Sequence, residues 1–194
     1  MLHPMIVNLE SRWLSAPAFA VYVAVAAIAS ILIVPGLRGL IGGCLAILML
    51  SIAIIDARQF TIPDWLVAIA IGLGFVSTGV SSGLDSVELL NAALRGALVG
   101  LAFGALRAAY EKLRNREGMG LGDVKLAVVA GVWLDWMAIA GAIEIAALTA
   151  LAVAGIRFLR SLPITGATPI PFGLYFAPAI WVAWLIEARL MELL

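Results

Sequence analysis

The stretch LIGGCLAILMLSIAII, residues Leu40–Ile55, carries no charged side chain and ends directly before Asp56. Backbone groups in lipid must be hydrogen-bonded within their own segment, so an apolar run of this length predicts a membrane helix. The rest of the chain has the same character, because 64% of its 194 residues are hydrophobic, 12% are charged and the mean hydropathy is +1.12. A soluble domain carries about 25% charged residues. Most of this exterior must therefore face lipid.

Other apolar runs repeat the pattern along the chain. Those long enough to span are Ala16–Val34, Trp65–Val80, Leu89–Tyr110, Met137–Ile156 and Phe172–Glu187. A further run, Val124–Leu134, is too short to cross a bilayer unless Gly122 and Asp123 extend it. We therefore predict an all-α polytopic transmembrane helix bundle of six or seven spans, with one short helix after Asp123. Residues 1–194 are expected to form a single membrane-embedded domain.

The basic residues favour the seven-segment count. With the N-terminus inside, the inward loops hold Arg12, Arg58, Arg107, Lys112, Arg114, Arg116, Lys125, Arg157 and Arg160. The outward side holds only Arg38 and Arg189, and Arg95 lies within a span. This is a clear positive-inside bias. It predicts that Asp56, Asp64 and Asp123 all lie at the cytoplasmic interface.

Two of these aspartates are candidates for chemistry. Asp56 and Asp123 are far apart in sequence, but the predicted topology brings them to one face of the membrane. Two carboxylates held close together share a proton, so one can activate a water while the other donates to a carbonyl or a leaving amine. Gly120 and Gly122 would let the backbone bend or approach a substrate closely, and they place Asp123 at a helix N-terminus. From spacing alone, catalysis and helix capping explain Asp123 equally well.

Three ordered motifs add a family resemblance. The stretch EGMGLGDVKL, residues 117–126, resembles the Gly-x-Gly-Asp signature of type IV prepilin peptidases. Asp56, followed by Ile62-Pro63-Asp64, is similar to their first aspartate motif. The stretch PFGLY, residues 171–175, resembles their Pro-Phe-Gly element, although Leu174 stands where many relatives have proline.

The resemblance implies a membrane aspartic endopeptidase that removes the positively charged leader of prepilin-like precursors. It implies Asp56 and Asp123 as the catalytic pair, and Gly120, Gly122 and Lys125 as supporting motif residues. It also implies a multi-pass protein of the bacterial inner membrane whose site faces the cytoplasm, with no cofactor and no metal. Many relatives also carry paired CxxC motifs and N-methylate their product. This sequence has one cysteine, so we expect the short form without methyl transfer.

Other residues have structural interpretations. Asp64 is predicted to be the N-cap of the third span. Lys125 should point away from Asp123 on a helix, and contact with a lipid phosphate or a substrate carbonyl stays open. Arg95 and Glu144 are predicted to pair across the bundle, and Cys44 to fill the core. The small residues Gly96, Gly100 and Gly104 should let a neighbouring helix pack closely.

Alternative functions stay open at this stage. A non-enzymatic proton or ion carrier could use the same aspartates, although carriers tend to place carboxylates near mid-bilayer. A metal site could use Asp56, Asp64 and Asp123. A peptidase of the presenilin type is less favoured, because Ile55 rather than a tyrosine precedes Asp56. Zero net charge argues against a nucleic-acid partner. The sequence names neither the individual substrate nor the oligomeric state.

Overall fold

The computed structural model describes residues 16–114, 120–159 and 171–193, and the regular elements of these residues are all α-helices. In chain order they are α1 (Ala16–Ile33), α2 (Leu37–Gln59), α3 (Asp64–Ser82), α4 (Ser86–Arg114), α5 (Leu121–Trp133), α6 (Trp136–Leu159) and α7 (Phe172–Leu193). This confirms the all-α helix bundle and the short helix that begins at the Gly-x-Gly-Asp motif. Arg12, Arg116, Arg160 and residues 117–119 lie outside the described residues.

The helices have the lengths and surfaces of membrane spans. Of those described, α2, α3, α4, α6 and α7 are long and apolar enough to cross a membrane, and the apolar part of α1, Phe19–Ile33, is shorter. Large apolar side chains remain exposed along the outside, among them Leu101 on α4 and Leu151 on α6. Such a surface is stable when lipid covers it.

The short helix α5 lies in the interior of the bundle. It packs against α3, α4, α6 and α7, and most of its residues from Leu126 to Trp133 are buried. The contact with α4 depends on glycine, as predicted. A Cβ atom at Gly96 would lie 2.7 Å from Val132, and one at Gly100 would lie 2.5 Å from Val128. The Nε1 of Trp133 also donates a hydrogen bond to the carbonyl of Ala70 on α3, at 2.8 Å.

The two ends of α5 lie at opposite ends of the bundle. Its first turn carries Asp123 and lies beside the start of α7. We call this end of the bundle the aspartate end and the opposite end the far end. Just after its last turn, the backbone amide of Asp135 donates to Glu187 Oε1, near the other end of α7, at 3.2 Å. At about 20 Å the helix is shorter than an apolar bilayer core of about 30 Å. The chain nevertheless changes ends through α5, as the seven-segment count requires.

A polar cavity of about 310 Å³ lies at the far end and meets the last turn of α5. Arg38, Ser82, Glu88, Asp135 and Glu187 are among its lining residues. This cavity lets the short helix reach polar surroundings without spanning the full bilayer, because charged groups within a membrane are tolerated where they face protein or water.

Two sequence interpretations are corrected here. Arg95 does not pair with Glu144; its guanidinium contacts Asp135 at 3.1 Å, and its Nε donates to the carbonyl of Gly131 at 3.3 Å. Asp135 lies two residues after the end of α5, and Arg95 on α4 faces it. Glu144 is exposed on α6. Cys44 is exposed on the outside of α2 rather than buried in the core.

Candidate active site

Asp56 lies in the last turn of α2, and its side chain is buried. The backbone N–H of Leu174 donates to its Oδ2 at 3.0 Å, and the N–H of Gly173 also donates to this carboxyl group. Both amides belong to the first turn of α7, where helical N–H groups have no partner within the helix. The helix dipole favours negative charge at this point. The start of α7 therefore holds the Asp56 carboxyl group in place.

Asp123 is the third residue of α5, in its first turn as predicted, and it is buried as well. Its carboxyl group accepts a hydrogen bond from the backbone N–H of Gly120, the N-cap residue, as in one half of a capping box. Asp123 lies at the end of the bundle in the first turn of α5, outside the five described helices that are long and apolar enough to cross a membrane. Burial, followed by the nearby charge of Asp56, raises the pKa of Asp123 to about 6 against the opposing effect of the Gly120 bond.

The structure therefore brings together two buried carboxyl groups from helices distant in sequence. They lie near enough for the charge of Asp56 to raise the pKa of Asp123. One of them is hydrogen-bonded to the N-terminus of a third helix. This is the arrangement needed for a pair that holds one proton and uses both protonation states in a reaction.

The donor set at this end is poor for a metal ion. Within the part of the chain that the structure describes, no group of three or more His, Cys, Asp and Glu side chains could hold one. Asp64, the third acid of the metal hypothesis, is directed to Lys125 instead.

The glycines of the motif have different roles from those expected. Gly120 has φ −70° and ψ 150°, a conformation open to any residue, and a Cβ atom there would meet nothing closer than 3.8 Å. Gly122 lies within α5, and a Cβ atom there would be only 2.8 Å from Cδ1 of Ile62. Gly122 therefore permits close packing against the residues that join α2 and α3, rather than a bend in the backbone.

Lys125 and Asp64 form an ion pair between α5 and the start of α3. Asp64 is the first residue of α3 and Pro63 occupies the N-cap position, with no side-chain cap hydrogen bond. The predicted capping role of Asp64 is therefore wrong, and Lys125 has a protein partner that was not predicted. The sequence distance of 61 residues hid this pairing.

Lys125→Met is expected to lower the free energy of unfolding by less than about 1 kcal/mol, because exposed ion pairs contribute little. The side chain of Asp64 is 81% exposed and that of Lys125 is 38% exposed. The measurement is thermal or denaturant unfolding in detergent, with Asp64→Asn and the double variant completing the cycle. A loss of several kcal/mol for the single variant would contradict this interpretation.

Two features of the site were not assigned a role from sequence. Ile62 had no predicted role of its own within the Ile62-Pro63-Asp64 motif. Its side chain is nevertheless only 6% exposed, and it contacts both Gly122 and Gly173. The amides of Gly173 and Leu174 were not expected to bind Asp56. The Pro171-Phe172-Gly173 element was the available signal, because proline is common at the start of a helix.

Comparison with known proteins gives a consistent result. The family model described as "Type IV leader peptidase family" matches residues 43–156. Among curated proteins, the chain is similar to the prepilin leader peptidase/N-methyltransferase of Pseudomonas aeruginosa, with 34% identity over 140 residues. The protein of the same name from Stutzerimonas stutzeri is 36% identical over 140 residues. The one from Xanthomonas campestris is 32% identical over 184 residues.

The matches cover most of this chain and less of its relatives. They span 71% of this chain and 46% of the Pseudomonas and Stutzerimonas proteins, and 90% of this chain and 62% of the Xanthomonas protein. The chain thus spans about half the length of the curated relatives that it matches. No solved structure matches significantly.

Proposed function

The chain belongs to the Type IV leader peptidase family, and from this premise we propose that it is a membrane aspartyl endopeptidase. Its substrates are prepilin-like precursors, from which it cleaves the leader peptide. Asp56 and Asp123 are the catalytic residues, and they act on a water molecule without a metal or cofactor. The observation that carries the proposal is the burial of these two carboxyl groups at the aspartate end, with Asp56 near enough for its charge to raise the pKa of Asp123.

Asp56 is the base in this mechanism. The Leu174 and Gly173 amides donate to its carboxyl group and fix its orientation. It takes one proton from a water molecule, whose oxygen attacks the carbonyl carbon of the scissile peptide bond. A base works best when it is deprotonated at the working pH and held in place.

Asp123 is the acid. Its raised pKa lets it keep a proton up to about pH 6, and it donates this proton to the carbonyl oxygen as the tetrahedral gem-diol forms. The C–N bond then breaks. The proton held by Asp56 passes to the leaving nitrogen, and one hydroxyl proton of the gem-diol returns to Asp123. Both residues thereby regain their starting states.

The location and the domain organisation belong to the same proposal. Arg58, Lys112, Arg114 and Lys125 lie at or near the aspartate end, so the positive-inside rule places this end at the cytoplasmic face. The protein is then a multi-pass protein of the bacterial inner membrane, with residues 1–194 forming one peptidase domain.

The rate of cleavage is expected to fall as the pH rises through about 6, the pKa of Asp123. Below this pH the pair keeps its shared proton, and above it both groups become carboxylates and the acid is lost. Well above the pKa, kcat/KM should decline on the order of tenfold per pH unit. The measurement is initial cleavage rate between pH 5 and 8 in liposomes. A flat profile over this range would contradict the assignment of Asp123 as the acid.

The direct test of the function uses purified protein in liposomes with a purified prepilin-type precursor. Mass spectrometry of the products should show one cut that releases the leader, with equal rates with and without EDTA. A parallel proton-flux assay on the same liposomes addresses the carrier alternative. An intact precursor together with aspartate-dependent proton flux would overturn the peptidase proposal in favour of a carrier.

A further inference from the structure

The connector Phe60–Pro63 joins α2 to α3 and starts one turn after Asp56. Phe60 ends α2 in the left-handed conformation, with φ 52°, and its amide donates to the backbone carbonyl of Asp56 at 2.9 Å. Phe60 and Thr61 are exposed, whereas Ile62 is 6% exposed. The left-handed turn thus directs one apolar side chain of the connector into the bundle, close to the candidate site.

The side chain of Ile62 fills the space left by two glycines. A Cβ atom at Gly122 would lie 2.8 Å from its Cδ1, 2.9 Å from its Cγ1 and 3.1 Å from its Cβ. A Cβ atom at Gly173 would lie 2.9 Å from the same Cδ1. Ile62 therefore touches the first turn of α5, which carries Asp123, and the first turn of α7, which binds Asp56.

We infer that Ile62 is a positioning residue that sets the separation of the two carboxyl groups, an inference that rests on the proposed function. Asp56 is fixed to α7 by the Leu174 amide, and Asp123 is fixed to its own helix by the Gly120 amide. The relative placement of α5 and α7 then decides how far apart the carboxyls lie. Ile62 is in contact with both helix starts at once.

The ion pair between Asp64 and Lys125 joins the same elements on the exposed side. Ile62 precedes Asp64 by two residues, and Lys125 follows Asp123 by two residues. The connector is thus attached to α5 by an apolar contact inside and a polar contact outside. Only the apolar contact also reaches α7, so Ile62 joins the starts of the two helices at the aspartate end.

Ile62→Ala is the first variant of the test, because it removes both atoms that lie closest to Gly122. It is expected to lower kcat about 10- to 100-fold with a smaller change in KM, since a misplacement of about 1 Å can cost 10²-fold. The altered carboxyl separation should also move the alkaline limb of the pH–rate profile by about half a pH unit or more. A purely structural role would leave the profile in place.

Ile139→Ala is the matched control. Ile139 is 5% exposed, close to the exposure of Ile62, and lies in the first turn of α6 at the far end. The same truncation there should lower the unfolding temperature while leaving kcat and the pH profile of the remaining folded protein unchanged. This separates loss of packing in general from loss of carboxyl placement.

A second substitution makes the test specific. Gly122→Ala alone should lower kcat by about 10-fold or more, but in the Ile62→Ala background it should cause little further loss, because the two closest atoms, Cδ1 and Cγ1, are gone. We call this absence of a further loss rescue. Gly173→Ala should not be rescued by Ile62→Ala, because its Cβ would also lie 2.8 Å from Asp56 Oδ2. Rates are measured on the liposome-reconstituted full chain with the prepilin-type precursor.

The outcomes separate the inference from the function beneath it. An active wild type with an Ile62→Ala variant of unchanged kcat and pH profile overturns the positioning role and leaves the peptidase intact. Equal rescue of the Gly122→Ala and Gly173→Ala variants, or rescue of neither, also overturns it. A wild type that cleaves no precursor overturns the proposed function, and the positioning role falls with it.

Discussion

Asparagine in place of either Asp56 or Asp123 is expected to lower the rate of leader cleavage by about 10²- to 10⁴-fold, the range supplied by a positioned acid or base. Asparagine keeps the size of the side chain but can neither take a proton from water nor return one. The measurement is cleavage of the precursor at matched concentrations of folded enzyme in liposomes. Expression and unfolding temperature report whether each variant inserts and folds.

Asp85→Asn is the matched control for these variants. Asp85 is exposed at the start of α4, where its Oδ1 accepts the backbone N–H of Val87 at 2.9 Å. Asparagine is an equally good N-cap, so this variant makes the same chemical change away from the aspartate end. It should cleave at the wild-type rate. Near-full cleavage by the Asp56→Asn or Asp123→Asn variant would rule out the catalytic pair.

Gly173→Ala is expected to have the next largest effect, a loss of about 100-fold in kcat. The added methyl group would lie 2.8 Å from Oδ2 and 3.0 Å from Cγ of Asp56, so the carboxylate would have to leave its place beside the Leu174 amide. The backbone itself does not oppose the change, because Gly173 lies within α7 and alanine is the better helix former. The added methyl group would also lie 2.9 Å from Cδ1 of Ile62, so the loss would report on the carboxylate and on this contact together.

Gly141→Ala provides the comparison, since Gly141 is a helical glycine of α6 with nothing within 4 Å of an added Cβ. This variant should keep wild-type cleavage and gain some stability from helix propensity. Measuring kcat and unfolding temperature for both variants separates steric pressure on Asp56 from the general effect of alanine. Wild-type kcat in the Gly173→Ala variant would show that the bond to the α7 amide is not needed.

Much of the architecture could be predicted because hydropathy and charge act along the whole chain. The apolar run Leu40–Ile55 became α2, and the short run after Asp123 became α5, with both ends of each within a few residues of the prediction. The alternation of segments placed Asp56 and Asp123 at one end. These predictions needed only helix rise, bilayer thickness and the positive-inside bias.

The partners of individual polar groups could not be predicted in the same way. Arg95 was assigned to Glu144 and Asp64 to its own helix, whereas they pair with Asp135 and Lys125. Which residues meet depends on the rotation and the depth of each helix. These helices are apolar on nearly all faces, so the hydropathy of the sequence determines neither quantity. The contact of Ile62 with two glycines depends on the same packing, so its role became visible only in three dimensions.

The central claim is that Asp56 and Asp123 act as one catalytic unit. It is tested most directly by the residual cleavage rates of the Asp56→Asn, Asp123→Asn and double variants over long incubations. Groups that act as a unit give non-additive losses, so the account predicts that the double variant is about as slow as the slower single variant. Losses that multiply, with the double variant far slower than either single variant, would show two independent contributions and contradict it.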